Sequence, residues 1–145
     1  MDIQNLEGLI RVLQASISPV ALISGVGLLL LSQTNRFSRV ADRLRELTRQ
    51  RRSMPGPDVM IDSEIAIFAV RARILRLGIG AAVASVLLAT LLVLFIFGMA
   101  VLNVPVAGFG LLLFAVSLAF LIASLLLFLR DMQLSLKALE EELKR

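Results

Sequence analysis

The chain has 145 residues, 58% of them hydrophobic, and its 15 basic and 11 acidic side chains give a net charge of +4. Soluble domains are roughly half apolar, and uncharged apolar runs of about 20 residues are typical of membrane spans. The sequence contains no His and no Cys, which excludes imidazole and thiolate metal ligands, cysteine nucleophiles and histidine bases. We therefore expect a membrane protein that is not an enzyme and uses no cofactor.

The N-terminal residues 1–17 are predicted to form an amphipathic helix at the outer side of the membrane. Their apolar residues recur three or four positions apart, so they share one helix face. These residues are Ile3, Leu6, Ile10, Leu13 and Ile17. Ser18 and Pro19 are typical of an N-cap followed by proline in the first turn, which predicts that a new helix begins there.

Transmembrane helix 1 is predicted over 18–35, and its apolar part is short. Residues 18–32 cover about 22 Å as a helix, against a hydrocarbon layer of about 30 Å. We therefore expect Gln33, Thr34 and Asn35 to lie at membrane depth.

Residues 36–76 are predicted to form an arginine-rich cytoplasmic hairpin of two helices. The first helix continues from the membrane to Ser53, where a Met-Pro-Gly-Pro run interrupts it, and Asp62 and Ser63 are typical of a cap for the second. We expect the acidic residues here to form salt bridges with arginines. Five arginines are predicted to contact anionic lipid or a protein partner: Arg43, Arg45, Arg49, Arg51 and Arg52.

Two longer apolar runs follow, and neither contains a charge. Residues 77–102 and 106–129 are predicted as transmembrane helices 2 and 3, joined by an outer turn at 103–105 that contains Pro105. Helix 2 carries small residues that favour close packing, namely Gly78, Ala81, Ala82, Ser85 and Ala89. Residues 130–145 are predicted as an amphipathic cytoplasmic helix with apolar positions Met132, Leu136, Leu139 and Leu143.

The distribution of basic residues predicts the orientation. Ten of the fifteen lie between Arg36 and Arg76, four follow the third span and one precedes the first. By the positive-inside rule the N-terminus is outside and the C-terminus is cytoplasmic. The predicted fold class is all-α: an integral membrane protein with three transmembrane helices that extend into a cytoplasmic bundle.

One face of transmembrane helix 1 is unusual because all its members except Leu28 and Arg39 are small or polar and uncharged. This face starts in the span 18–35 and continues into the predicted cytoplasmic extension of the same helix, the first of the chain, here called α1. We call the face the α1 stripe, and its members are Ser18, Ala21, Gly25, Leu28, Ser32, Asn35 and Arg39. Small residues let membrane helices approach closely, so the stripe is interpreted first as a packing seam. The alternative is that several copies place the stripe around a narrow pore. Leu28 would then be a constriction that gates by dewetting, and Arg36 and Arg39 would form a cationic inner vestibule.

The run SPVALISGVGLLLLSQTNRFSRVADRLREL, followed by a basic loop and an apolar hairpin, resembles a family of small bacterial three-span membrane proteins catalogued as a domain of unknown function. The most specific parts are Ser18-Pro19-Val20 with Gly25, and Thr34-Asn35-Arg36 through Asp42-Arg43. The resemblance covers nearly the whole chain. It implies a bacterial inner-membrane location and brings no established activity.

The leading hypothesis is a homo-oligomeric channel that is lined by the α1 stripe and passes small ions. The alternative is a non-conducting scaffold or regulatory subunit whose arginine-rich hairpin binds anionic lipid or a protein partner. The expected partners are membrane lipid, further copies of the chain and small ions. No motif for nucleic-acid binding accompanies the basic residues.

Overall fold

The computed structural model describes residues 3–102 and 107–143, and over these residues the chain forms three helices. They are α1 (Ile3–Ser53), α2 (Val59–Leu102) and α3 (Ala107–Leu143). Each contains a stretch long and apolar enough to cross a membrane. The fold class is therefore confirmed as an all-α, multi-pass membrane protein whose helices continue beyond their apolar stretches. The predicted turn at 103–105 lies outside the described residues.

The helix start predicted at Ser18 is wrong, because α1 is continuous from Ile3 and contains Pro19 in its interior. Proline removes one backbone hydrogen bond and normally kinks or ends a helix. In an apolar environment, however, every other backbone group must still be satisfied within the chain. Pro19 is buried, and continuing the helix on both sides of it leaves only that one bond unmade.

The break between α1 and α2 lies where the sequence predicts it, but α2 begins earlier than expected. α1 ends at Ser53, and Gly56 has a φ of 105°, a left-handed conformation that glycine adopts without strain. The Asp58 carboxylate accepts hydrogen bonds from the backbone N–H groups of Met60 (3.0 Å) and Ile61 (3.2 Å). Asp58 is therefore the N-cap, and the cap predicted at Asp62 and Ser63 is corrected.

The chain divides into two compact units, and each helix contributes a segment to both. The first unit comprises Met1–Leu29 and Ala81–Ile122. In its interior the Ser117 hydroxyl donates to the backbone oxygen of Ser85 (2.9 Å), and the two hydroxyl oxygens lie 3.3 Å apart. Phe95 packs edge-on against Phe109 with ring centroids 5.1 Å apart. The hydroxyl pair and the aromatic pair thus both join α2 to α3 within this unit.

The second unit comprises Leu30–Gly80 and Ala123–Arg145. Its buried apolar side chains are Val40, Leu47 and Leu75. Three polar residues are equally buried, at 1% exposure or less: Gln33, Ser124 and Asp131. Burial of polar groups is costly unless they are hydrogen-bonded, so these three residues mark the part of the fold with the most specific packing.

Burial follows a repeat of three and four residues along α2, as expected for helices that pack with a small crossing angle. Four of the five small residues in the predicted seam are buried, and Ala81 is half-buried. The buried members are Gly78, Ala82, Ser85 and Ala89. The packing role of this face is confirmed.

The apolar seams predicted near the two chain ends are exposed on the single chain where the structure describes them. Leu13 and Ile17 are 49% and 64% exposed and line an open apolar groove of about 430 Å³ with Val93 and Phe97. Leu136 is 59% exposed. The side chains of Ile3, Leu6, Leu139 and Leu143 lie outside the described part of the structure.

Gly78 offers a direct test of the packing between α2 and its neighbours. A Cβ atom at this position would lie 3.5 Å from both the Gln33 Oε1 and the Leu127 Cβ, whereas one at Gly80 would meet nothing within 4 Å. We expect Gly78→Leu to lower the free energy of unfolding by about 1–3 kcal/mol through overpacking. Gly80→Leu is the matched control, because both variants gain similar helix propensity. Denaturation of purified protein in detergent measures both, and equal stability of the two variants would contradict the packing.

Candidate functional site

The α1 stripe lies on the exposed surface of the chain. Its members from Ala21 to Arg39 are all exposed, and Leu28 is 73% exposed. Ser18 belongs to α1, and its side chain lies outside the described part. The side of α1 that packs within the chain is the opposite one, where buried residues recur every seven positions: Pro19, Val26, Gln33, Val40 and Leu47. Within one chain, therefore, the stripe is not a packing seam.

Several exposed hydroxyls on α1 are satisfied by the helix itself. Ser24, Thr34 and Ser38 each donate to the backbone oxygen four residues earlier, at 3.1, 2.7 and 3.1 Å. Such back-bonding removes much of the cost of placing a hydroxyl against lipid. Ser32 and Asn35 make no side-chain hydrogen bond with any described residue. Ser32 and Asn35 are therefore the uncharged polar members of the α1 stripe that need a hydrogen-bond partner from water, a headgroup or another chain.

Around Gly25 the α1 stripe has small side chains and no packing neighbour. A Cβ atom placed on Gly25, or on Gly27 beside it, would meet nothing within 4 Å. The backbone is thus accessible there, and a neighbouring helix has room to approach closely.

Four of the five hairpin arginines form ion pairs within the chain, in line with the predicted salt bridges. Two pairs join α1 to α2: Arg43 with Glu64 at 3.5 Å and Arg51 with Asp62 at 2.7 Å. Arg51 also donates to the backbone oxygen of Gly56 (3.0 Å), so it braces the turn.

The remaining hairpin arginines lie mostly in solvent. Arg45 pairs with Asp42 and Arg49 with Glu46, one turn apart on α1, and both arginines are about 80% exposed. Arg52 makes no ion pair with the described residues. Exposed pairs of this kind contribute about 0–1 kcal/mol, so these three side chains are available to other anions.

The most constrained charges in the second unit were missed by the sequence reasoning. Asp131 on α3 is fully buried, and its two carboxylate oxygens accept hydrogen bonds from Arg36 on α1 and Arg71 on α2, both at 3.1 Å. We call these three residues the Arg–Asp–Arg cluster. Arg36 is therefore paired within the chain, whereas Arg39, with which it was predicted to form a vestibule, is exposed.

A second polar contact lies in the same unit. The Gln33 Nε2 donates to the Ser124 hydroxyl at 3.0 Å, joining α1 to α3. Its Oε1 is buried without a hydrogen-bond partner among the described residues. The signal in the sequence was the seven-residue spacing of Ser117, Ser124 and Asp131, which places all three on one face of α3.

The described residues contain no group of three or more acidic side chains positioned to hold a metal ion. The hairpin carboxylates instead face arginines or, in the case of Asp58, cap a helix.

Comparison with known proteins gives a family and no activity. A family model described as "Protein of unknown function (DUF2721)" matches residues 16–141. No curated protein and no solved structure matches the chain significantly. The expectation of an uncharacterised family is thereby confirmed.

Asp131 provides a test of the cluster's contribution to stability. Asp131→Asn leaves two guanidinium groups near each other without their counter-charge, and removal of one partner from a buried ion pair costs about 3–5 kcal/mol. Asp42→Asn is the matched control, because it breaks an exposed pair with Arg45 and should cost no more than about 1 kcal/mol. Thermal and chemical unfolding in detergent compare the two, and an Asp131→Asn chain as stable as Asp42→Asn would show that the cluster is not a structural clasp.

Proposed function

The chain belongs to the DUF2721 family, and we propose that it forms a homo-oligomeric pore that is lined by the α1 stripe and passes small ions. The observation that carries the proposal is the exposure of Ser32 and Asn35 on a helix that is long and apolar enough to cross a membrane. Hydrocarbon does not solvate an amide, so such a face is sheltered by protein or water.

Oligomerisation follows from the position of the α1 stripe. The other side of α1 is occupied by packing within the chain, so a passage lined by the stripe needs further copies. Closed cyclic symmetry is the usual way in which identical chains surround an axis. The open backbone at Gly25 and Gly27 supports close approach of a neighbouring copy.

The order of residues along α1 supports a simple pore. Leu28 supplies an apolar ring, Ser32 and Asn35 supply polar rings, and Arg39 supplies one exposed cation per chain at the inner mouth. Hydrophobic constrictions gate by dewetting, and arginine rings favour anions. We place the protein in the bacterial inner membrane, with the N-terminus outside and the C-terminus in the cytoplasm, as the basic residues favour. In this orientation Arg39 lies at the cytoplasmic end of the pore.

Leu28 is the residue with which to test conduction. We expect Leu28→Ser to raise ion flux into liposomes that contain the purified protein, because a hydroxyl ring hydrates the constriction. Leu126→Ser is the matched control, since Leu126 is similarly exposed (61%) but lies on α3, away from the α1 stripe. Its flux should equal that of the unaltered chain.

Two results would contradict the pore. One is an absence of flux from both the unaltered and the Leu28→Ser chain under any salt gradient or voltage. The other is a monomeric mass in mild detergent and in nanodiscs, because one chain does not surround an axis with its α1 stripe.

A second candidate function is a non-conducting scaffold or regulatory subunit, and one feature of the second unit favours it. Arg45, Arg49 and Arg52 line an open groove of about 430 Å³ together with Leu44 and Thr48. Its three guanidinium groups attract anionic headgroups or an acidic protein segment, and its apolar floor adds contact area.

Arginine-to-lysine replacement separates the two classes of ligand for this groove. If the groove attracts lipid by charge, Lys at 45, 49 and 52 should retain the phosphatidylglycerol bound to the full chain, and Gln at the same positions should release it. Native mass spectrometry counts the bound lipids. Loss of association with a specific protein in the Lys variant, with its bound phosphatidylglycerol unchanged, would instead indicate recognition of a protein partner through the guanidinium fork.

A further inference from the structure

The Arg–Asp–Arg cluster is a candidate ligand site because it carries more positive than negative charge. One buried carboxylate faces two guanidinium groups, which leaves a net charge of +1. The Asp131 side chain is fully buried, so a third cation does not reach it from the surface. The excess charge resides on the two arginines.

The arginines retain hydrogen-bond donors that reach the surface. Each guanidinium has five N–H groups, and each uses one nitrogen for Asp131: Nη1 of Arg36 and Nε of Arg71. No hydrogen bond from their other nitrogens to a described residue is found, and the two side chains are 29% and 14% exposed. Part of each arginine is therefore open to a ligand.

Aromatic rings and the carboxylate hold the two guanidinium groups in place. The Arg36 Cζ lies 5.3 Å from the centroid of the Phe128 ring, and the Arg71 Cζ lies 5.6 Å from that of Phe68. Both distances are within the range of a cation–π contact. Since each guanidinium is fixed by a ring and by Asp131, its free edges are pre-organised as donors, which lowers the entropy cost of binding an anion.

We propose that Arg36 and Arg71 bind an anionic phosphate group, with Asp131 as the residue that positions both guanidinium groups. Arginine forks match phosphate oxygens in geometry and charge. The cluster lies just beyond the predicted apolar segments, since Arg36 follows 18–35 and Asp131 follows 106–129. That depth favours the headgroup of an anionic phospholipid over free phosphate. The proposal does not depend on ion conduction.

The main test uses a variant that removes the whole cluster and still folds. Replacing every member of a buried ion cluster by apolar residues of similar volume is often neutral for stability, so Arg36→Met, Arg71→Met and Asp131→Leu are combined in one full-length chain. Arg73→Gln is the matched control, because it removes the same net charge from an exposed position two residues from Arg71. Thermal unfolding in detergent is titrated with phosphatidylglycerol, with phosphatidylcholine, and with inorganic phosphate at constant ionic strength.

We expect phosphatidylglycerol to raise the unfolding midpoint of the unaltered and Arg73→Gln chains. The apparent affinity should fall about ten-fold or more in the triple variant, which loses charge-assisted hydrogen bonds. A shift with inorganic phosphate equal to that with phosphatidylglycerol supports the site and assigns free phosphate as the ligand. No shift with either probe, or the same shift in the triple variant as in the unaltered chain, would overturn the proposal.

Asp131→Asn alone adds a readout that a purely structural clasp does not move. The amide of this variant no longer fixes both guanidinium groups, so the shift caused by phosphatidylglycerol should be smaller than in the unaltered chain and unchanged in Asp42→Asn, which breaks an exposed ion pair. A phosphatidylglycerol shift in Asp131→Asn equal to or larger than that of the unaltered chain would contradict the positioning role of Asp131.

Discussion

One buried carboxylate determines how the second unit is held together. Asp131 on α3 bonds Arg36 on α1 and Arg71 on α2, so a single side chain joins a segment of every helix. Burial of a charge is very costly unless hydrogen bonds satisfy it, and both oxygens are satisfied here. The arrangement specifies which faces of the helices meet. Helices held by apolar packing alone can rotate or slide against each other at little cost, whereas such a movement here would break the hydrogen bonds of Asp131.

The helices were predictable because their signals are local. Long uncharged runs predict α2 and α3, and the Pro-Gly-Pro break predicts the end of α1 at Ser53. The two helix starts were less predictable. Asp58 and Asp62 are both suitable N-cap residues. Which of them caps α2 depends on the backbone conformation that follows Pro57. Pro19 has the chemistry of a first-turn residue, but its apolar surroundings favour an uninterrupted helix.

The candidate sites also differ in how far the local sequence predicts them. The α1 stripe follows from residue spacing, and the structure adds that its described members point away from the rest of the chain. In the Arg–Asp–Arg cluster, Asp131 lies 95 positions from Arg36 and 60 positions from Arg71. No local sequence pattern therefore predicts the cluster. Arg36 and Arg71 also have an ordinary explanation as charges that set membrane topology. The one indication in the sequence was the position of Asp131, which continues the seven-residue spacing of Ser117 and Ser124.

Arg36 and Arg71 leave the ribosome before the carboxylate that binds them both. Proteins are synthesised from the N-terminus, so while the 60 positions between Arg71 and Asp131 are made the two arginines have no shared counter-charge. A nascent chain that stops short of residue 131 has its first two apolar helices and the Arg43–Glu64 and Arg51–Asp62 pairs, but no counter-charge for Arg36 and Arg71. Arrival of α3 is therefore the step that closes the second unit.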